Sequence, residues 1–404
     1  MAATVAEHRK AVTELVRAAV QRNARAAATV GLLEARNRIL ARDITAPVSL
    51  PPFANSQMDG YAVDSAAAAG RPEFAVAETI AAGYPAPPLA AGFAAPIMTG
   101  AMLPAGADAV VPIEQADPDG FRTPAPGLTV RLPANVPAGQ FVRSEGSDIA
   151  AGTLALAAGT RLKPAQLGLL AALGVAEVAV RPRLRVLLLS TGDEVIAPGG
   201  TLGPGQIFDA NTTLLAAGLA EAGADVAGSR ILADSPEDFL ARLHEDLERH
   251  QPDLLLTSGG ISKGAFEVVK QALAQDQVEF GPVAMQPGGP QAIGTVGGVA
   301  YLGFPGNPVS SLVSFETFLR PALSEVLGDP EPRTVLQVPL AEAVLSPAAK
   351  HQIRRGHYDG GSVTLIGGPG SHLLYALAAS NALVHFPVGV TEVPAGWNVE
   401  VWLL

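Results

Sequence analysis

Leu184-Arg185-Val186-Leu187-Leu188-Leu189-Ser190-Thr191-Gly192-Asp193-Glu194-Val195 reads as a buried strand over 184–189 that ends in a polar glycine loop. The same device returns twice. A strand over 253–257 ends in Ser258-Gly259-Gly260-Ile261-Ser262-Lys263-Gly264, and one over 299–303 ends in Phe304-Pro305-Gly306-Asn307-Pro308. Helices are predicted behind these loops, over 211–222, 265–274 and 309–327. A further strand, 225–232, meets Ser235-Pro236-Glu237-Asp238, a capping-box pattern that opens a helix to about 249. Strand–helix alternation at this spacing predicts a parallel doubly wound α/β sheet.

Ligands of an open α/β sheet bind outside the carboxyl ends of its strands. Glycines there let backbone amides close on an anion, and the following helices aim their positive ends at it. Three such loops point to a phosphate or oxyanion pocket. None matches GxxxxGK[ST] or GxGxxG, which weighs against ordinary ATPase and dinucleotide readings. Glu194, Asp234 and Glu267 fall at or just past strand ends on the same edge. Carboxylates beside a phosphate site repel the ligand unless a hard cation bridges them, so Mg²⁺ is expected.

Outward from this core the texture changes. Val12, Leu15, Val16, Ala19 and Val20 lie at helical spacing near the N-terminus, and a second short helix is predicted over 31–41. Residues 45–143 are short apolar runs broken by Pro and Gly, which predicts a small β-domain. Residues 144–180, with a helix over 164–173, are expected to rejoin the N-terminal helices, leaving the β-domain as an insertion. The α/β domain is assigned 181–328. Gly328-Asp329-Pro330-Glu331-Pro332 reads as a linker into a β-rich C-terminal domain, 329–404.

Composition narrows the function. The 404 residues are 48% apolar and 16% charged, which excludes a largely disordered chain. There is no cysteine, so no thiol nucleophile or zinc–thiolate site exists. A net charge of −11 argues against nonspecific nucleic-acid binding, and no apolar stretch is long enough to span a membrane. MAATVAEHRKAV lacks the apolar centre of a secretion signal, so cytoplasmic residence is expected. Only five of the 27 basic residues are lysine: Lys10, Lys163, Lys263, Lys270 and Lys350.

Seven stretches, in order, carry a resemblance over nearly the whole chain: PPFANSQMDGYAV, IMTGAMLPAGADAVVPIE, EGSDIAAGT, LLSTGDEV, GQIFDANTTLL, TSGGISKGAFEVVK and LGFPGNPVSS. Together they resemble the MoeA family, the molybdopterin molybdenumtransferases that include the E domain of gephyrin. The resemblance implies an elongated helical domain (1–44 and 144–180) with an inserted β-domain, a MogA-like α/β domain and a C-terminal β-domain, assembled as a homodimer. It also implies the reaction: molybdenum from molybdate enters adenylylated molybdopterin and AMP is released with Mg²⁺. A MogA-type adenylyltransferase and a molybdoenzyme are the implied partners.

By resemblance, Asp59, Asp148 and Glu194 are catalytic carboxylates, and Glu194, Asp234 and Glu267 form the metal side. Thr99, Gly100, Asp193, Ser258, Gly259, Gly260, Ser262, Lys263, Pro305, Gly306, Asn307 and Pro308 are implied on the substrate, with Asp59 reaching a neighbouring subunit's cleft. Three departures stand out. Ala54 replaces the family's Asp in PPFDNS, and Glu267 replaces an Asp. The lysines of the family's KPGKP, which contact molybdate, are Gln286 and Gly289 in Gln286-Pro287-Gly288-Gly289-Pro290. Arg355, Ser371 and His372 are then expected to help hold the oxyanion. Two alternatives stay open: a non-inserting molybdopterin-nucleotide binding module, and a Mg²⁺-dependent pterin-nucleotide pyrophosphohydrolase.

Overall fold

The computed structural model describes residues 2–232, 235–261 and 268–404. They form two compact units, one of residues 1–26 with 182–404 and the other of residues 27–181.

The first unit is built on α1 (Val5–Arg22), β1 (Arg185–Thr191), β2 (Val195–Ile196), β3 (Ile207–Phe208), α2 (Asn211–Glu221), β4 (Asp225–Leu232), α3 (Pro236–His250), β5 (Leu254–Ser258) and α4 (Val268–Ala272). It continues through β6 (Gln277–Pro282), β7 (Met285–Gln286), β8 (Pro290–Val296), β9 (Val299–Phe304), α5 (Pro308–Ser314) and α6 (Arg320–Leu327). The main sheet has the order β4-β1-β5-β9-β8-β6. Strands alternate side chains between faces. Val186 and Leu188 of β1 accordingly enter a core with α1, α2, α5 and α6, while Leu187 and Leu189 enter a second core with α3 and α4.

Two features of the tertiary arrangement depart from the sequence expectation. The sheet is mixed: β4, β1, β5 and β9 are parallel, but β8 and β6 run antiparallel at one edge. The cause is Gly297-Gly298, a two-residue hairpin turn with φ of 53° and 82° at its centre, which reverses β8 into β9. The other departure is α1. It was expected with residues 144–180, yet Val12, Val16 and Ala19 pack in the core that holds Leu188, Leu256 and Leu323.

The helix expected over 309–327 is continuous but widens to a π-turn at Phe315–Leu319 between α5 and α6. Pro321 explains this, because it lacks the N–H that would bond the Thr317 carbonyl and its ring crowds that oxygen. Thr317 O instead accepts from Arg9 Nε of α1 at 2.8 Å. Past Gly328, Arg333 grips the buried Glu316 carboxylate with two nitrogens at 2.8 and 3.0 Å, tying the linker back to this helix.

The C-terminal segment adds β10 (Val335–Pro339), β11 (His351–Tyr358), β12 (Val363–Leu365), β13 (Ala382–Phe386) and β14 (Asn398–Leu403). Their sheet runs β7-β11-β13-β14-β10, with β12 on β11. Its edge strand, β7, is thus lent by the α/β segment, with Met285 opposite His351 and Gln286 opposite Gln352.

In the unit of residues 27–181, a five-stranded sheet is formed by Ala109–Pro112, Gly60–Val63, Phe93–Ile97, Glu73–Val76 and Thr129–Arg131. Strands Ala28–Gly31 and Ile44–Thr45 pair with Glu177–Val180 and Leu154–Leu156. The helix expected over 31–41 is instead a strand end and a run of turns. Asn37 takes φ 63°, and the amides of Asn37 and Leu40 donate to the carbonyls of Leu162 and Thr160, so distant chain takes the bonds a helix needs. Among the described residues, no helix is long and apolar enough to cross a membrane.

Candidate functional site

A cavity of about 760 Å³ opens at the carboxyl ends of β1, β5 and β9, wholly within the first unit. The sequence loops make three of its walls. Gly259 and Gly260 take φ of 97° and 67°, and a Cβ on Gly260 would stand 2.6 Å from Val269 Cγ2. Only glycine therefore permits this loop to lie flat against α4, with Gly259 Cα near Gly306. Ser258 Oγ and Ser311 Oγ lie 3.3 Å apart, and Ser311 donates to the Pro305 carbonyl, which fixes the 305–308 loop at the head of α5. Asn211 Nδ2 donates to the Gly306 carbonyl at 2.6 Å.

Polar atoms remain unpartnered on this wall. Thr191 Oγ1 and Asn211 Oδ1 are buried without a hydrogen-bond partner, and both residues line the cavity. Buried polar groups left unpaired cost free energy unless a ligand or water meets them. Two carboxylates share the wall. Glu194 is exposed and stands beside Gly192. Asp209 is buried and accepts from Thr212 N at 3.0 Å and Thr212 Oγ1 at 2.5 Å, while Thr212 Oγ1 also meets Ser190 Oγ at 2.8 Å.

The C-terminal segment closes the opposite side. Residues 286–290, Ser371 and Lys350 line the cavity, and the Ser371 carbonyl accepts from Val309 N at the start of α5. Lys350 is exposed and carries the only positive charge among the described lining residues.

Of the residues singled out in the sequence, Glu194, Ser258, Gly259, Gly260, Gln286, Pro305, Gly306, Asn307, Pro308 and Ser371 come together on this cavity. Asp193 and His372 are exposed and do not line it. Ser262, Lys263, Asp234 and Glu267 lie outside the described residues. Arg355 departs from expectation. It is fully buried and off the cavity wall, and its Nη2 donates to the Gly368 carbonyl, with Arg354 Nη2 on Gly367 O at 2.8 Å. The two guanidiniums therefore brace the 367–371 loop from behind. Burial holds both below the usual arginine range.

Asp59, Thr99, Gly100 and Asp148 belong to the other unit. Asp59 Oδ1 accepts from Thr99 N at 2.7 Å and Thr99 Oγ1 at 2.8 Å, and these donors hold its carboxyl below the ordinary range. Gly100 follows at φ 79° with its amide on Ser56 O. Asp148 is exposed, its amide on the Leu50 carbonyl.

Sequence reasoning named Thr191 only as part of its loop and passed over Asp209, Asn211 and Lys350 as site residues. Asp209 and Asn211 stand inside GQIFDANTTLL, a stretch noted for resemblance but not read for chemistry. Lys350 carries no local signal at all.

Three family models cover most of the chain: the MoeA N-terminal region (domain I and II) at residues 3–174, the probable molybdopterin binding domain at 187–325, and the MoeA C-terminal region (domain IV) at 337–404. The chain is 42% identical over 415 residues to molybdopterin molybdenumtransferase 2 of Mycobacterium tuberculosis (strain ATCC 25618 / H37Rv), covering 99% of each. To the molybdopterin molybdenumtransferase of Haemophilus influenzae it is 34% identical, covering 92% of each. The crystal structure of a molybdopterin biosynthesis MoeA protein from Pyrococcus horikoshii superimposes with a TM-score of 0.82 at 28% identity, covering 100% of this chain and 99% of that one. The chain belongs to the MoeA family, the family of the molybdopterin molybdenumtransferases.

Proposed function

We propose that this protein transfers molybdenum from molybdate to adenylylated molybdopterin and releases AMP, in the biosynthesis of molybdenum cofactor. One observation carries the reading: a single cavity joins amide-rich loops at three strand ends, unpartnered hydroxyl and amide oxygens, two carboxylates and Lys350. Both substrates are anions, and the Thr191 hydroxyl, the Gln286 amide and Lys350 are donors on this wall that would meet them although the chain is acidic overall.

The loops at Ser258–Gly260 and Pro305–Pro308 would hold phosphate oxygens, the second of them leading into the start of α5. Lys350 and the Gln286 carboxamide face the cavity from the C-terminal side, where a tetrahedral oxyanion would take an ammonium and an amide donor. Among the described residues no group of three carboxylate or histidine side chains is placed to hold a metal. Glu194 and Asp209 do offer hard oxygen ligands on one wall, a chemistry that fits Mg²⁺. Asp209 is engaged by Thr212, so Glu194 is the residue that would hold the ion. Bound there, Mg²⁺ would neutralise the diphosphate and polarise the bond to be cleaved. The same reading makes the protein a cytoplasmic homodimer, with Asp59 reaching the cleft of a second copy.

Gln286 and Gly289, standing where the family carries lysines, favour a second reading in which the nucleotide is cleaved without metal insertion. Reconstitution with adenylylated molybdopterin, Mg²⁺ and molybdate separates them. AMP together with active cofactor supports the transferase. AMP alone identifies a pyrophosphohydrolase, and neither product identifies a binding module.

A further inference from the structure

The cavity wall is polar at the strand ends but ends in an apolar lip. Val195, Ile207 and Phe208 line the same cavity, and Ile207 and Phe208 are 54% and 43% exposed although both are large and apolar. Exposed apolar side chains inside a ligand cavity mark where an apolar part of the ligand sits.

The lip is held in place by backbone. β2 and β3 pair in parallel, with Val195 opposite Ile207 and Ile196 opposite Phe208. Ile207 N donates to the Glu194 carbonyl at 2.8 Å, and Asp209 N donates to the Ile196 carbonyl at 2.9 Å. One short ladder therefore fixes the backbone from which Glu194, Phe208 and Asp209 line the cavity. The loop between the two strands is closed on itself, with Gly203 N on Gln206 Oε1 at 2.9 Å. An aromatic ring carried on such a frame loses little freedom when a second ring lies on it.

We propose that Phe208 is the stacking plate for a planar nitrogen heterocycle of the ligand. The inference rests on the proposed function, because an adenylylated pterin carries two such rings joined by the diphosphate that the glycine loops would hold. Anionic contacts at the strand ends fix the diphosphate, and Phe208, one residue from Asp209, fixes the ring beside it. The purine and the pterin share this chemistry, so the probes must distinguish them.

The test measures equilibrium binding to the full-length protein of AMP, ribose 5-phosphate and 6-hydroxymethylpterin. Wild type is compared with Phe208→Ala and Phe208→Trp. Loss of one base–aromatic stack corresponds to about a 5- to 150-fold weakening. Phe208→Ala is expected to weaken AMP or the pterin by that factor and to leave ribose 5-phosphate unchanged, while Phe208→Trp binds as wild type does. Whichever ring-bearing probe responds names the ring on the plate. Wild-type affinity for both ring-bearing probes in Phe208→Ala would overturn the plate alone, as would an equal loss for ribose 5-phosphate. Failure of wild type to bind any of the three would overturn the proposed function and the plate with it.

Discussion

Gln352 donates its Nε2 to Oε1 of Gln286 at 2.8 Å, across the parallel pair formed by β7 and β11. Gln352 is buried, whereas Gln286 lines the cavity. The bond thus turns the Gln286 amide nitrogen, a donor, away from Gln352 and leaves it for an anion. Gln352→Leu is expected to free the carboxamide and weaken molybdate binding about 3- to 10-fold, the scale of one hydrogen bond. Gln352→Glu, which only accepts, should turn the carboxamide over and weaken binding more than Gln352→Leu. Equilibrium dialysis against molybdate decides it; equal affinities in all three proteins would remove Gln352 from the site.

Lys350 supplies the positive charge of the described cavity wall, so its loss should be felt in oxyanion affinity more than in folding. Lys350→Gln is expected to weaken molybdate binding about tenfold, on the scale of a charge-assisted hydrogen bond. Lys350→Arg should keep most of it.

Gly289→Lys should act in the opposite direction. A Cβ at Gly289 meets nothing closer than carbonyl oxygens at 3.6 Å, and the backbone there is not left-handed, so a side chain can begin here on the cavity wall without strain. Tighter binding at limiting molybdate is the expected result, measured beside the same variant made in Lys350→Gln. No gain in either background would show that this wall does not contact the oxyanion.

Thr99 gives Asp59 two donors, and both favour the ionised carboxylate. Thr99→Val removes the hydroxyl donor and should raise the Asp59 pKa. If ionised Asp59 is needed for turnover, the acid limb of the rate–pH profile moves to higher pH, while Asp59→Ala and Glu194→Ala depress AMP or cofactor release throughout. An unmoved acid limb in Thr99→Val would separate Asp59 from the rate-controlling ionisation.

His8 connects the fold to pH. It lies in α1 edge-on to Phe318, its Nε2 without a partner, and burial pushes its pKa down to about 4. The unfolded chain takes up this proton near pH 6.5, whereas the folded chain resists until about pH 4. Stability is therefore full above about 6.5 and falls as pH drops through that window, by up to about 3 kcal/mol from this group. Melting temperatures from pH 7 to 4.5 should decline less steeply in His8→Leu than in wild type.

The three cavity loops were legible because each joins a short apolar run to glycines, a pattern that local chemistry fixes. Phe315–Leu319 and the 31–41 turns were not. Pro321 sets the first, a single ring that helical periodicity does not weigh, and Leu162 and Thr160 set the second, partners far along the chain that periodicity does not register. The antiparallel edge could have been read from Gly297-Gly298, a turn signal between two apolar runs. Asp209 was hidden by its neighbours, since a carboxylate before a helix reads as a cap, and it does cap Thr212 while lining the cavity. Arg355 misled because a basic residue in the C-terminal domain reads as an anion contact, whereas its burial makes it a brace for Gly368.

The bond from Arg9 to the Thr317 carbonyl spans 308 residues, and among the described residues α1 buries its apolar face in a core built from residue 184 onward. On the ribosome, α1 emerges before the whole of residues 27–181 and must wait, greasy face uncovered, until the sheet and the proline-bent helix have been made. Domains fold as units while they are synthesised. The unit of residues 27–181 can therefore close early, and the segment translated ahead of it docks late, sealing a core that was finished from the other end.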